Sequence, residues 1–386
     1  MRPVAVVAAG VATPIGIDLE TFWSGLLTGV DGTSRIERFE VVDLRVGRGG
    51  EIKKLASLAQ APRQACRATS MLLAAADDLR SHVALTADAA RIAIVLGTAL
   101  GGVEELDRAL TDTPGPRAAA AGLYDSPAFA LARHLGAAGP VLTVSTACAS
   151  GATALGVGAD LLNADAADLV VAGGYDVLCR FVMRGFDALR SLTRDRVRPF
   201  DRRRNGLLLG EAAGLVLLAR PSEARAPLGR LLGHASSSDG SHIAAPDPDG
   251  RGLEHAVRAA MTAAGVAAED VQLVSAHGTG TVLNDRIETA VLKRVLGAHA
   301  HGIPVNSIKG ALGHTMGAAA TLEAIMCLLA ARDGVVPSTL GYEEPDPACD
   351  LDYVPRAARH VRTRLSLSTS LGFGGCNAAL VLEGGA

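Results

Sequence analysis

Residues 145–163 read Ser145-Thr146-Ala147-Cys148-Ala149-Ser150-Gly151 and continue as Ala152-Thr153-Ala154-Leu155-Gly156-Val157-Gly158-Ala159-Asp160-Leu161-Leu162-Asn163. The chain passes here from a strand-like run, Val141–Ser145, through a turn of small residues into a stretch with helical spacing, Ala149–Asn163, that is apolar on nearly every face. A helix without a polar face must be buried on all sides. Gly317–Ala331 repeats the arrangement after a turn of its own. Two such helices, one per half, suggest an internal duplication in which each half supplies a sheet and a central helix. The joint is placed near Arg220–Pro227, where Pro221, Ser222, Glu223 and Pro227 interrupt the pattern, giving halves 1–224 and 225–386.

Working outward, further strand-like runs occur at Val4–Ala8, Ile92–Leu96, Leu169–Ala172, Leu215–Leu218, Leu273–Ser275, Ser366–Thr369 and Ala379–Leu382. Alanine- and leucine-rich helical stretches separate several of them, so the expected class is α/β with largely buried sheets. Pro114–Gly122 reads as a loop. At 386 residues the chain is long enough for two domains or one fused body around a large core. With 49% hydrophobic residues, 20% charged and a net charge of -3, it reads as a globular protein rather than a nucleic-acid binder. Val4–Ala12 is apolar but short, and Pro14 and Gly16 follow it, so it reads as a buried strand and not a signal peptide. No run reaches the roughly 20 apolar residues of a membrane span. A cytoplasmic location is expected. The six cysteines, Cys66, Cys148, Cys179, Cys327, Cys349 and Cys376, include no Cys-x-x-Cys pair, which fits neither a disulfide framework nor a zinc site.

Four loops carry residues suited to chemistry. Cys148 stands at a sharp turn and a helix N-terminus, where unpaired amides and the helix dipole favour a thiolate. His277 ends the strand Leu273–Ser275 and enters a loop of glycines and threonines, Gly278-Thr279-Gly280-Thr281, that lets a ligand approach the backbone. Lys309 and His314, in Asn306-Ser307-Ile308-Lys309-Gly310-Ala311-Leu312-Gly313-His314, sit where the second buried helix opens. The dipole opposes a cation there, so His314 is expected to be neutral. Gly372-Phe373-Gly374-Gly375-Cys376-Asn377 makes a glycine turn around one aromatic residue between the last two strands. Leu192–Asn205 adds a basic stretch with Arg194, Arg196, Arg198, Arg202, Arg203 and Arg204, which reads equally as a solvated face.

In this order, Thr-Ala-Cys-Ala-Ser-Gly (146–151), His-Gly-Thr-Gly-Thr (277–281), Lys-Gly-Ala-Leu-Gly-His (309–314) and Gly-Phe-Gly-Gly-Cys-Asn (372–377) resemble the beta-ketoacyl-acyl-carrier-protein synthases of the thiolase-like superfamily. The resemblance runs nearly end to end and implies a duplicated five-layered α-β-α-β-α architecture, usually dimeric. It implies a Cys-His-His subclass enzyme in which Cys148 is acylated and His277 and His314 hold the enolate formed by decarboxylating a malonyl thioester. An oxyanion needs donors already in place where charge grows, and neutral imidazole N–H groups are suited to that. Phe373 and Gly374 then match the family's oxyanion and gate loop, with the amides of Cys148 and Phe373 as donors. Lys309 matches the family lysine, Glu288 a carboxylate that pairs with it, and Asp285 a second supporting acid. Thr279 and Thr281 match hydroxyls that contact the phosphopantetheine arm. The resemblance implies no cofactor, since substrates arrive on that arm, and an acidic acyl carrier protein as partner. Arg190, after Phe186-Asp187-Ala188-Leu189, is the first docking candidate, followed by Arg194, Arg63 and Arg67.

Two departures are visible. Tyr124-Asp125-Ser126-Pro127 replaces a longer loop bordering the acyl pocket and dimer interface, and Ala320 stands where a glycine is common. Together with the compact length, these resemble ketosynthases of specialised pathways such as aryl-polyene or other polyene assembly, which pair with themselves or with a homologous subunit. The alternatives are a non-condensing chain-length factor, which typically lacks the nucleophile, and a thiolase, for which Cys376 would have to supply a second sulfur. A dinucleotide-dependent oxidoreductase fits less well, because no Gly-x-Gly-x-x-Gly opens a helix after the first strand.

Overall fold

The structure, a computed structural model, describes residues 2–55, 66–111, 120–224 and 226–385. Arg63 and most of the Pro114–Gly122 stretch lie outside these residues. The main sheet is built from β1 (Val4–Ala12), β2 (Ile92–Gly97), β3 (Val141–Val144), β4 (Leu169–Asp176), β5 (Ala212–Ala219), β6 (Gly229–Ser238), β7 (Leu273–Ser275), β8 (Val305–Asn306), β9 (Leu365–Gly372) and β10 (Cys376–Gly384). Their order is β8-β7-β9-β10-β6-β1-β5-β4-β2-β3. Each half therefore lays its five strands in the sequence first, fifth, fourth, second, third. The first two pairings in each row are antiparallel and the last two parallel. The duplication that two buried helices suggested is thus written into the topology. A short ladder, Val4–Val6 of β1 against Gly229–Leu231 of β6, laces the two five-stranded sheets into one.

Five layers follow from how the helices cover this sheet. α1 (Arg67–His82) and α2 (Ser126–Leu135) lie on the outer face of the first half. α3 (Ser150–Asn163) and α7 (Ala319–Asp333) pack against each other between the halves, while α5 (Arg251–Ala264) and α6 (Val282–Leu296) cover the outer face of the second. α4 (Arg180–Ala188) follows β4. Apart from the edge strand β3 and the outer end of β6, the strands are buried on both faces, as layers between helices require. In β2, Ala93 and Val95 join the central core and Ile92, Ile94 and Leu96 the outer one. In β10, Ala378, Leu380 and Leu382 face the centre and Ala379 and Val381 face outward.

The all-apolar helix reading holds most fully for α7, whose residues from Ala319 to Ala330 are all buried, Thr321 and Glu323 included. Two strands of the main sheet escape the sequence reading, β6 and the two-residue β8. Between the halves, Pro221–Glu223 forms a single 3-10 turn. Tyr124 to Pro127 forms no open loop but leads into α2, with Pro127 in its first turn as proline's fixed φ favours. No helix among the described residues is long and apolar enough to cross a membrane.

Candidate active site

Cys148 owes its position to strain. Ala147, just before it, has φ 50, a left-handed conformation that residues with a Cβ rarely take. Ser150 Oγ stabilises the turn by donating to the Ala147 carbonyl at 2.5 Å and accepting from the Thr146 amide at 3.0 Å. The result is a sharp elbow between β3 and α3 with Cys148 at its apex, 6% exposed. The helix-start argument leads one to expect a thiolate. Instead, burial pushes the Cys148 thiol up to about 12, outweighing the nearby Lys309 charge and the hydrogen bond donated by the Phe373 amide. The Cys148 side chain therefore rests as a thiol.

The two histidines arrive from the second half. His277 follows β7, and its backbone amide donates to Glu288 Oε1 at 2.7 Å while the Gly278 amide donates to Oε2 at 2.8 Å. Asp285, one turn earlier on α6, accepts from the amides of Phe200 at 2.7 Å and Gly280 at 3.2 Å. His314 is pinned to the first half, donating its amide to the Leu208 carbonyl at 2.7 Å and accepting from the Gly210 amide at 2.9 Å. The two imidazoles meet edge to face with centroids 5.2 Å apart. Burial holds both well below the ordinary histidine range, and the Lys309 cation pushes the same way. Both rings are neutral at physiological pH, as expected of His314 from the sequence.

Lys309 does not pair with Glu288. It is buried against Glu323 of α7, its ammonium donating to Glu323 Oε1. Glu288 is occupied by the two loop amides and the Thr369 hydroxyl at 2.7 Å, so its work, like that of Asp285, is to clamp the histidine loop. The sequence did hold a signal for Glu323: it is the one charged residue within Gly317–Ala331, and a buried charge needs a partner. Lys309→Met, which strands that carboxylate, is expected to lower stability by about 3–5 kcal/mol, and Lys309→Met combined with Glu323→Leu to recover most of the loss. Denaturant unfolding of the two variants checks this. Asp176, at the end of β4, also went unforeseen. It accepts from the amides of Ala99, Leu100 and Gly317 and from the Thr98 hydroxyl, tying the elbow's backing loop to the start of α7.

Cys148, His277 and His314 line a single cavity of about 410 Å³, together with Thr279, Thr281, Arg190 and Phe373. The Thr279 and Thr281 hydroxyls lie 3.0 Å apart on its wall. Phe373 begins the turn between β9 and β10, and Gly372 before it lies so close to the elbow that a Cβ there would stand 2.9 Å from the Thr146 carbonyl and 3.1 Å from the Cys148 nitrogen. Gly374 has φ 78 and donates its amide to the Ile243 carbonyl at 2.8 Å, joining this turn to the loop 239–250. Cys376 is not among the residues lining the cavity.

Of the docking arginines, Arg190 stands exposed on the rim and Arg194 is exposed nearby. Arg67 is no docking residue: its guanidinium binds both oxygens of buried Glu211 and the Ile52 carbonyl. Nor is the basic stretch simply solvated. Arg196, Arg198 and Arg203 converge on Glu343, and Arg204 is buried against Asp346.

Comparison with known proteins agrees with this geometry. Residues 1–224 match the model of the beta-ketoacyl synthase N-terminal domain and residues 228–343 that of the C-terminal domain. The chain is 37% identical to the ketoacyl synthase alpha subunit of the tetracenomycin polyketide synthase of Streptomyces glaucescens, over 99% of this chain and 97% of that one. Among solved structures, the ishigamide ketosynthase/chain length factor superposes with a TM-score of 0.93 at 32% identity, covering both chains completely. A type II polyketide synthase ketosynthase, solved with its acyl-carrier protein and bound to the hexaketide, superposes with a TM-score of 0.92 at 27% identity, with 99% of each chain covered. A strained cysteine elbow facing two neutral histidines, on a twice-repeated five-stranded plan matched in both halves, belongs to a member of the beta-ketoacyl synthase family.

Proposed function

We propose that this protein catalyses decarboxylative Claisen condensation, and the observation that carries the reading is the convergence of Cys148, His277 and His314 on one cavity. The Cys148 sulfur takes an acyl group from a carrier thioester, expelling the carrier thiol. A malonyl-carrier then enters past Thr279 and Thr281, whose hydroxyls suit the amides of a phosphopantetheine arm. Loss of carbon dioxide leaves an enolate whose oxygen faces the imidazole N–H groups of His277 and His314. The enolate carbon attacks the Cys148 thioester, the amides of Cys148 and Phe373 hold the tetrahedral oxyanion, and the thiolate leaves and is reprotonated. The products are 3-oxoacyl-carrier, carbon dioxide and free Cys148. No step calls for a metal or redox cofactor.

The partners proposed are an acidic acyl carrier protein steered by Arg190 and Arg194, and a second ketosynthase-like subunit. In support of the latter, β3 is the last strand of the sheet among the described residues, with Leu142 exposed on it and Leu123 and Phe129 exposed near the α2 that packs on it, and an unpaired apolar edge invites pairing. The tetracenomycin subunit and the type II polyketide synthase ketosynthase support a polyketide pathway. A cytoplasmic location suits a chain whose six cysteines are all unpaired. Retention of the nucleophile with both histidines speaks against a chain-length factor, and the position of Cys376 off the cavity against a thiolase.

The test is sequential. Incubated with a panel of acyl carriers, the protein is expected to gain the mass of one acyl group, and malonyl-carrier is expected to discharge it with release of carbon dioxide. Condensation proceeding without an adduct would contradict the scheme.

A further inference from the structure

We propose that Phe186 is a positioning residue for the chemistry at Cys148, its ring holding Phe373 over the thiol and so keeping the Phe373 amide on the sulfur. This deepens the ketosynthase reading and rests on it for its catalytic consequence. The Phe186 and Phe373 rings stack with centroids 5.2 Å apart and planes inclined by 20°, and both line the cavity. The Phe373 amide is close enough to Cys148 to lower the pKa of its thiol, against the larger effect of burial. The backbone around Phe373 is tied down by the Gly374 amide on the Ile243 carbonyl and the Asp239 amide on the Gly375 carbonyl, but the Phe373 side chain itself is only half-buried. Gly374 and Gly375 follow at φ 78 and 75 without side chains to pack. Phe186, by contrast, is fixed. It sits near the end of α4 beyond buried Val182 and Met183, and its carbonyl accepts from both the amide and the hydroxyl of Ser191 at 3.4 and 3.2 Å.

The Phe186 ring thus sets the position of the Phe373 ring stacked on it. When Phe373 swings away, the thiol gains water and one of the two amides for the tetrahedral oxyanion is lost. Offset aromatic pairs add enough beyond area burial to shift a closed-to-open ratio roughly 2- to 10-fold. Phe186 therefore ties access to the sulfur and stabilisation of the transition state to one contact.

The experiment is the rate of iodoacetamide alkylation at Cys148, read by peptide mass mapping so that the other cysteines are separated. Phe186→Ala is expected to react about 2- to 10-fold faster than the wild type, Phe186→Tyr to restore the wild-type rate, and Phe186→Ala with Phe373→Ala to react no faster than Phe373→Ala alone. In turnover, Phe186→Ala is expected to lower kcat while KM for the acyl carrier stays level. An alkylation rate unchanged in Phe186→Ala, or a double variant that adds the full factor, overturns the proposal. Should Phe186→Ala not fold, Phe186→Leu keeps the volume without the π-face and carries the same expectations. A wild type that never accepts an acyl group sinks the ketosynthase reading, while the alkylation ratios still decide what Phe186 does.

Discussion

Cys148→Ala is expected to carry no acyl adduct and to show no condensation above background, while release of carbon dioxide from malonyl-carrier persists. The first part follows because no other sulfur lines the cavity: Cys376 lies off it, and Cys66, Cys179, Cys327 and Cys349 are buried elsewhere. The second follows because the substitution leaves both imidazoles and Lys309 in place, so the donors for the enolate are intact. Removing one small buried side chain leaves the elbow's own hydrogen bonds, made by Ser150, untouched. Intact mass after incubation with acyl carriers, alongside a carbon dioxide assay, separates the two half-reactions. An adduct retained at full occupancy in Cys148→Ala would falsify the assignment of the nucleophile.

His277→Ala and His314→Ala are each expected to slow decarboxylation by about 10²- to 10³-fold, the usual cost of deleting one oxyanion donor, while acylation of Cys148 falls less. The protonation state adds a second signature. Both rings are held well below the ordinary range of about 6.5 by burial, so they stay neutral as the pH falls from 8 through 6.5, and the rate of decarboxylation stays level there. Stability behaves differently. Below about 6.5 the unfolded chain binds protons on these histidines and the folded chain does not, so their contribution is full above that pH. It is lost on acidification at up to about 1.4 kcal/mol per pH unit for each ring. The buried acids work in the opposite sense. Asp176, raised to about 6, and Asp285, raised to about 7, lose stability as the pH rises from about 4 through those values. The clean observable is therefore the difference between wild type and the doubly substituted protein in denaturant unfolding at pH 5 and 7. The double variant is expected to lose less stability at the acid end, and an equal loss in both contradicts neutral burial.

Much of this site could be read from the chain because four glycine-punctuated loops carry distinctive residues in order, and buried α/β strands betray themselves by continuous apolar runs. What escaped reading has physical causes. β6, Gly-Arg-Leu-Leu-Gly-His-Ala-Ser-Ser-Ser, lacks β-branched residues and so carries no strand signal. It is a strand because β1 and β10 flank it. Gly233 lets α5 approach so closely that a Cβ there would meet the Ala260 carbonyl at 2.4 Å. Glu288 was matched to Lys309 by resemblance, but the ion pair is decided across the central layer, where α7 brings Glu323 to the ammonium. Arg67 looked like any surface cation until Glu211, 144 residues away, closed on it. Phe186 gave no sign at all, since a single aromatic residue on a short helix acquires meaning only from the ring opposite.

The repeated plan has a consequence for how such a centre can be divided. α3 begins beside the sulfur and α7 begins just after an imidazole, so each unit offers the mouth of its middle helix to its twin. Neither unit owns a reaction centre. Severed near Pro221–Glu223, the two pieces would each keep a complete strand order yet remain inert apart, and chemistry would return only when they reassemble through the seam at Val4–Val6 and the packing of α3 on α7.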